Sequence, residues 1–203
     1  DERSRQEGSS LMAGTYPTTP EFQAINLSSS HSNLSSVSIS GKVQVRSLGG
    51  HKWSFTAKYN PMTRAEFNPV YAFVISQQGG LDTFTIVPPV ISSTTGTATG
   101  TMAVNGSTSA GTRTVPIDGI TGTIKAGDLV KFANHTKVYM VTADRDGAGD
   151  LTIEPALVSD LADDEEVTYN DVPFTMRMTN DVQQYSLSAN EYYEYEVDMV
   201  EVL

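Results

Sequence analysis

The sequence predicts a mainly β protein with one short helix, built as a β barrel or sandwich that carries an inserted small β-barrel domain. Residues 42–84 and 172–203 read as parts of one β-rich domain, because the second segment supplies only two strands and cannot form a domain alone. A Gly- and Thr-rich segment of short apolar runs separates them. We therefore expect residues 12–90 and 172–203 to form a split domain and residues 91–171 to form the inserted barrel.

Composition bounds the chemistry of this 203-residue chain. It contains no Cys, which excludes disulfides and thiolate metal sites. No apolar run approaches the ~18–20 residues that a membrane span needs, and no basic-then-apolar leader opens the sequence, so we expect no membrane association. Residues 1–11 are polar and without pattern, and we interpret them as a disordered arm or a remnant of cloning.

The net charge of -11 is concentrated in one part of the chain. Residues 160–203 hold twelve acids against Arg177 alone, a net of -11, so residues 1–159 sum to zero. Such a balance argues against specific nucleic-acid binding, which needs a Lys- and Arg-rich surface. It allows two interpretations: a solvated face that aids solubility, or a surface past which DNA slides without sticking.

Alternation and capping signals predict the elements of the split domain. Lys42 to Arg46 and Lys52 to Tyr59 alternate polar and apolar residues, which predicts a hairpin whose turn lies at residues 47–51 and a buried Trp53. Thr63 and Glu66 have capping-box spacing, so a helix should start there and run to Gly79-Gly80. Pro69 predicts a kink or a break after the first turn, and residues 81–87 predict a further strand.

The inserted segment changes in composition along its length. Residues 90–112 are rich in Ser, Thr and Gly and predict a linker or a loose strand. From Thr114 onward, short and evenly spaced apolar runs alternate with turn residues, a pattern typical of a small barrel or sandwich.

The chain closes on two further strands, the first at residues 174–179 and the second at about 191–202. Alternation in the second strand slips at Val200, since Val200 and Val202 fall on the face that is acidic before them. A bulge or burial against a neighbouring subunit would explain the slip. We predict a subunit interface at Tyr195, Val200 and Val202.

Motifs for catalysis or metal binding are weak. His31, His51 and His135 lack metal-ligand spacing, and no GxSxG motif marks a nucleophile. Residues 144–150 begin like a calcium loop, but Ala148 and Pro155 stand where ligands are required, so a hairpin turn is the better interpretation. We expect no enzyme activity, no catalytic residues, no metal site and no cofactor.

Short segments of the split domain resemble a known family. They are Pro20-Glu21-Phe22, Ser40 to Arg46, Gly50-His51-Lys52-Trp53, Tyr59 to Arg64, Ala72-Phe73, Gln77 to Gly80, Phe84, Val172-Pro173-Phe174, Asp181-Val182-Gln183 and Glu196 to Val202. Together they look like the opening and the last hairpin of distal tail proteins of long-tailed siphophages. Residues 124–130 and 151–157 of the inserted segment resemble small β domains that decorate phage tail proteins.

The resemblance implies a tail-tube-like β barrel that closes into a homohexameric ring at the distal end of the tail. Such a ring joins the tail tube protein to the baseplate hub and tape-measure proteins, carries receptor-binding or fibre proteins, and leaves a lumen for DNA. It is a structural part of the virion that is made in the host cytoplasm.

Besides a hydrolase of cell-wall sugar, which would need a cleft with two apposed carboxylates and ranks last, two alternatives stay open at this point. The first is a tail tube or tail terminator protein, against which the inserted domain argues mildly. The second is a module that binds host carbohydrate, which would need exposed aromatic side chains in residues 114–170, where the sequence offers Phe132, Tyr139 and Tyr169.

Overall fold

The computed structural model describes residues 12–203, so the prediction for residues 1–11 lies outside the described residues. The fold is mainly β, with 49% of residues in strands and 7% helical, and it includes a nearly closed, barrel-like sheet of six strands. The predicted fold class is therefore confirmed. The described part of the chain contains no helix long and apolar enough to cross a membrane.

The elements follow one another along the chain as strands with a single helix among them. In order they are β1 (Met12–Thr15), β2 (Phe22–Val37), β3 (Val43–Tyr59), α1 (Arg64–Ser76), β4 (Thr83–Ile86), β5 (Thr99–Val104), β6 (Thr114–Thr121), β7 (Thr123–Ile124), β8 (Leu129–Phe132), β9 (Val138–Val141), β10 (Arg145–Asp146), β11 (Gly149–Glu154), β12 (Val167–Thr168), β13 (Phe174–Met178), β14 (Tyr185–Leu187) and β15 (Tyr193–Glu201).

These strands form two main sheets. The first sheet has the order β1-β4-β13-β15-β3-β2, with β14 paired to β15 beside this path. The second sheet has the order β12-β8-β9-β11-β6-β5, and β7 pairs separately with β10. The first sheet thus takes its strands from both ends of the chain, while the second takes them from the segment between.

The second sheet curls until its two edge strands almost meet. Ala103 in β5 and Glu166, next to β12, form an isolated antiparallel bridge. Beside it, the backbone N–H of Val104 donates to the carbonyl of Glu165 at 2.9 Å. Residues 90–112 therefore include β5, a paired strand of the barrel with Met102 and Val104 buried, rather than only a linker.

Each sheet has its own hydrophobic cluster, and the first cluster extends beyond its sheet. It contains the inward side chains of β3, β13 and β15 together with Phe67, Val70 and Val74 of α1. It also includes Leu129 and Val138, which belong to the second sheet. The two sheets are therefore joined by apolar packing as well as by the chain.

The predicted hairpin with its turn at residues 47–51 is wrong. Residues 43–59 form one strand, β3, whose partner is β2, and the turn between them lies at residues 38–42. Gly49 and Gly50 have φ values of +74° and +72° and lie where the register shifts, so they form a bulge instead of a turn. A hairpin turn and a β-bulge both accept residues with positive φ, so a Gly-Gly pair in the sequence does not distinguish them.

Helix α1 begins where the capping signal predicts. The backbone N–H and the hydroxyl of Thr63 both donate to Oε2 of Glu66, at 2.9 and 2.8 Å. The helix continues through Pro69 to Ser76, so of the predicted kink or break after the first turn the break is wrong, and the kink stays a prediction. Phe67, Val70 and Val74 lie on its buried face.

Strand β15 contains no bulge. Its pairing with β3 runs without a register shift from Glu196 to Val200, and its residues alternate regularly between the two faces. The slip at Val200 arises because Glu201 points into the protein and Val200 points outward with Asp198. Of the two explanations in the sequence analysis, the bulge is therefore excluded.

Neighbouring residues on α1 provide a test of this packing. Val74 is fully buried, whereas Ile75 is 52% exposed. We expect Val74→Ala to lower the free energy of unfolding by about 2 kcal/mol, because it removes buried methyl groups and leaves a cavity. Ile75→Ala should change it by less than about 0.5 kcal/mol. Urea unfolding measures both, and equal losses would contradict this orientation of the helix.

Candidate functional site: assembly surfaces of the first sheet

The most exposed part of the described chain is the distal half of the β2–β3 hairpin, residues 31–50, which we call the hairpin arm. Every residue of the arm is exposed. Its tip is a tight turn in which the N–H of Ser38 donates to the carbonyl of Lys42 at 3.0 Å and Gly41 has φ of +81°. At the rise of a β-strand, the arm extends about 25 Å beyond its root.

The arm carries apolar side chains on both of its faces. Val37 lies opposite Val43, and Ser35 lies opposite Val45, so the three valines share one face, which we call the valine face. They are 59–67% exposed. The other face pairs Leu34 with Arg46. The arm therefore leaves large apolar side chains exposed to water on both of its faces.

The first sheet ends in two unlike edges. One edge is β2, a 16-residue strand paired only with β3 among the described residues. The other is formed by β1 and by β14, the second of which has only β15 as a strand neighbour in the part of the chain that the structure describes. Val182 and Leu187, 69% and 57% exposed, lie in β14 or beside it.

The acids of residues 160–203 do not form one face. Asp160 and Asp163 accept hydrogen bonds from the N–H groups of Ala110 and Gly106, at 2.7 and 2.6 Å, within the second sheet region. On the outer face of the first sheet, Glu194, Glu196 and Asp198 follow one another along β15. Glu196 lies opposite Lys58 and Asp198 lies opposite Thr56, while Arg177 lies opposite Val200 on the same face. Residues 160–203 therefore do not form a single acidic face. Neither the face that aids solubility nor the surface for DNA passage describes the segment as a whole.

A buried ion pair lies where the second sheet meets the first. Lys137, next to β9, and Glu201, at the end of β15, are each 1% exposed and form a direct ion pair. Glu201 also accepts the N–H of Val138 at 2.9 Å and the N–H of Trp53 at 3.1 Å. The indole N–H of Trp53 donates to the carbonyl of Val138 at 2.9 Å. Oε1 of Glu201 is thus satisfied from the second sheet, and Oε2 is satisfied by Lys137 and by Trp53 of the first sheet.

His51 completes this cluster and must be neutral to do so. The Lys137 ammonium donates to Nδ1 of His51 at 2.9 Å, which requires an unprotonated nitrogen at that position. The other ring nitrogen, Nε2, lies 2.9 Å from the hydroxyl of Ser29. Burial, and then the positive charge of Lys137, lower the pKa of His51 to about 4. Burial also lowers the pKa of Lys137, and Glu201 opposes that shift.

The residues predicted at a subunit interface lie in different environments. Tyr195 is 3% exposed, and its hydroxyl donates to Oε1 of Gln183 at 2.9 Å within the core of the chain. Val200 and Val202 are half-buried, and the carbonyl of Val202 accepts the Thr136 hydroxyl at 2.9 Å. The structure does not bring the three together on one exposed surface, and their contact with another subunit stays a prediction.

The aromatic residues named for carbohydrate binding do not form a platform. Phe132 and Tyr139 are fully buried, and the hydroxyl of the half-buried Tyr169 donates to the carbonyl of Gly100 at 2.7 Å. In the segment that resembles a calcium loop, Asp144 binds the Lys125 ammonium and the N–H of Ala126. The three aromatic residues and Asp144 are therefore all engaged in contacts within the protein itself.

Sequence reasoning missed the hairpin arm and the Lys137–Glu201 pair. Residues 22–37 are Ser-rich and lack a strong apolar alternation, so β2 carries little strand signal. The alternation from Lys42 to Arg46 indicates a strand of the arm, but the sequence does not show that its partner is β2 rather than residues 52–59. Glu201 interrupts the apolar end of β15, and that interruption is the one sign of its inward position.

His51 makes stability depend on pH. The unfolded chain takes up a proton on His51 near pH 6.5, whereas the folded chain does so only near pH 4, so the free energy of unfolding falls as the pH drops through this window. In His51→Gln, whose side chain stays neutral, this loss should be smaller by on the order of 1 to 2 kcal/mol at pH 5. Urea unfolding at pH 7 and pH 5 measures it.

The matched control for this prediction is His31→Gln, because His31 is the exposed histidine whose ring lies 4.5 Å from that of His51. It should retain most of the pH dependence of the natural protein, because burial and Lys137 lower the pKa of His51 more than the charge of His31 does. A His51→Gln variant that loses as much stability as the natural protein between pH 7 and pH 5 would contradict the role of His51.

Comparison with known proteins agrees with this architecture. Residues 91–172 match the family model described as the B domain of distal tail protein pb9. No curated protein matches the chain significantly. The segments that resemble distal tail proteins lie in residues 12–90 and 172–203, so the match and the resemblance cover complementary parts of the chain. Residues 91–172 are therefore similar to this B domain, and the match supports the prediction that the chain is a distal tail protein of a siphophage.

Proposed function

We propose that this protein is a non-enzymatic structural subunit that closes into a ring of six copies at the distal end of the phage tail. The ring joins the tail tube to the baseplate hub and leaves a lumen for DNA. The observation that carries the proposal is the unprotected β2 edge of the first sheet. The number six comes from the resemblance to distal tail proteins.

Strand β2 lacks two of the features that keep an edge strand from pairing with another chain, namely charged residues and proline. Its 16 residues include no Lys, Arg, Asp, Glu or Pro. Soluble proteins usually protect such edges with charges, proline, bulges or a covering element, because the free N–H and C=O groups template a further strand. A long edge without these charges or proline favours pairing with another subunit.

A ring requires two different surfaces on each subunit, and the first sheet supplies them. In a closed head-to-tail assembly, one surface of each copy contacts a different surface of the next. We place the β2 edge of one copy beside the β1 and β14 edge of its neighbour. The exposed Val182 and Leu187 then become part of the contact.

The hairpin arm supports the same assembly. A two-stranded ribbon is marginally stable in water by itself, and the arm leaves Val37, Val43 and Val45 mostly exposed. A neighbouring copy that covers the valine face would remove this surface from water. The arm carries Lys42 and Arg46 and no acid, so like charges oppose its contact with another arm and favour the acidic remainder of the next subunit.

The outer face of the first sheet is suited to line the lumen. Glu194, Glu196 and Asp198 lie along its central strand, and the Thr56 hydroxyl donates to Asp198 at 2.7 Å. Net positive charge is what retains DNA on a protein surface. On this face Lys52, Lys58 and Arg177 balance the three acids, so the hydrated face carries no net positive charge that would retain DNA. The inserted domain, on the opposite side, is then available for hub, fibre or receptor-binding proteins.

The mass of the purified protein in solution tests the ring. Light scattering at several concentrations should show a species of six times 21.9 kDa, and negative-stain images of it should show a central hole. Edge pairing predicts that the species persists at high salt, because backbone hydrogen bonds and apolar contacts are not screened. A protein that stays monomeric at every concentration would overturn the proposal.

Shortening the hairpin arm should weaken the ring without unfolding the subunit. Residues 34–46 can be replaced by Asn-Gly, because Asn33 and Ser47 are cross-strand partners and a two-residue turn joins such strands. We expect the mass to shift toward the monomer in light scattering.

The control for arm shortening is Ile75→Ser, which removes a side chain of α1 that is 52% exposed outside the arm and outside both sheet edges. It should leave the oligomer unchanged. Circular dichroism and urea unfolding confirm that both variants are folded. A shortened variant that assembles as well as the natural protein would show that the arm does not contribute to the ring.

A further inference from the structure

The inserted domain is attached to the first sheet at more places than its two chain connections. The first attachment is at those connections, where the N–H of Val172 donates to the carbonyl of Ser92 at 3.1 Å. Nearby, Asp128 accepts hydrogen bonds from the hydroxyls of Thr94 and Thr95, at 2.6 and 2.7 Å, which tie the entry segment to the start of β8. The next residue, Leu129, packs in the first hydrophobic cluster. Two covalent connections that lie side by side could act together as a hinge.

The second attachment involves the hairpin formed by β8 and β9. It lies at the end of this hairpin that is opposite Asp128. The hairpin pairs Leu129 with Met140 at one end and Lys131 with Val138 at the other. Asp128 lies beyond the first pair, whereas the buried Lys137 precedes Val138 at the second. A domain that is held at both ends of one hairpin cannot rotate about its chain connections.

We propose that Glu201, Lys137 and His51 form a lock that fixes the orientation of the inserted domain on the first sheet. The three groups lie on β15, on the segment before β9 and on β3, so each comes from a different part of the chain. The Lys137 ammonium donates to the carbonyl of His51 at 3.2 Å and to Nδ1 at 2.9 Å, besides its ion pair with Glu201.

The chemistry of the lock allows one arrangement. A buried carboxylate and a buried ammonium must keep every partner, because a small rotation would leave a charge desolvated and unpaired. Apolar contacts between the sheets, such as those of Val138, tolerate sliding far better. The polar cluster therefore determines the orientation of the inserted domain on the first sheet, while the apolar contacts hold the domain against that sheet.

A rigid inserted domain has a consequence for the tail tip. Any protein that is bound to the outside of the domain keeps a constant direction relative to the first sheet. A displacement at the outer domain is then transmitted to β15 and β3 through Glu201, rather than absorbed at the chain connections.

Distance distributions between spin labels test the lock. The chain has no Cys, so single labels can be placed at Ala72→Cys on α1 and at Ala110→Cys on the inserted domain, both of which are exposed. With the lock intact, we expect double electron–electron resonance to show one narrow distribution of the distance between the two spin labels. Glu201→Gln, which leaves the Lys137 ammonium without a counter-charge, should broaden it.

The control is Asp144→Asn, which removes an exposed ion pair with Lys125 on the same domain and should leave the distribution narrow. Should Glu201→Gln fail to fold, the double variant Lys137→Met with Glu201→Gln removes both charges and leaves no uncompensated one. It should also give a broad distribution, because the ammonium bonds to His51 are lost.

Hydrogen exchange separates unlocking from unfolding. In either lock variant, amides of residues 136–140 and 51–55 should lose protection, while those of β6 and β11 keep theirs. A narrow distance distribution in a folded variant whose Val138 amide has lost protection would overturn the proposal, because the domain would then keep its direction without the lock.

Discussion

The antiparallel pairing of β15 with β3 is the interaction on which the rest of the structure depends. It joins residues 196–200 to residues 54–58 and thereby brings the two ends of the chain into one sheet. Their inward side chains then form the first hydrophobic cluster, against which α1 packs. The same pairing places the carboxylate of Glu201 beside the backbone of Trp53, where it can receive Lys137. The position of the inserted domain is therefore a consequence of the pairing of two strands outside it.

The junction between the two sheets combines two kinds of interaction with different physical roles. Leu129 and Val138 bury apolar surface against the first cluster, which contributes free energy but little direction. The Lys137–Glu201 pair contributes little net free energy once the cost of desolvating both charges is offset, but its geometry is demanding. An insertion held by both is attached firmly and in one orientation. This combination suits a protein that belongs to a mechanical assembly.

The surface of the first sheet is poorly suited to a free monomer and well suited to a subunit. An uncharged edge of 16 residues and an apolar hairpin arm are liabilities in a solitary protein, because they invite uncontrolled pairing. In a closed ring, each of these features has a defined partner and is removed from water. The similarity of residues 91–172 to a domain of a distal tail protein gives these surfaces a biological context, and the proposed ring gives them a use.

Sequence alone determined the features that rest on local physics. The cap at Thr63, the buried face of α1, the burial of Trp53 and the short strands of the inserted barrel follow from capping chemistry and hydrophobic period within a few residues. The tertiary structure alone decided that Gly49-Gly50 form a bulge, because a glycine pair can turn or bulge and the long partner β2 settles which. It also decided that Glu201 points inward. A charged residue is predicted to be exposed unless its partner is known, and the partner of Glu201 is Lys137, 64 residues away in the sequence. Where a residue's state depends on a distant partner, only the fold can assign it.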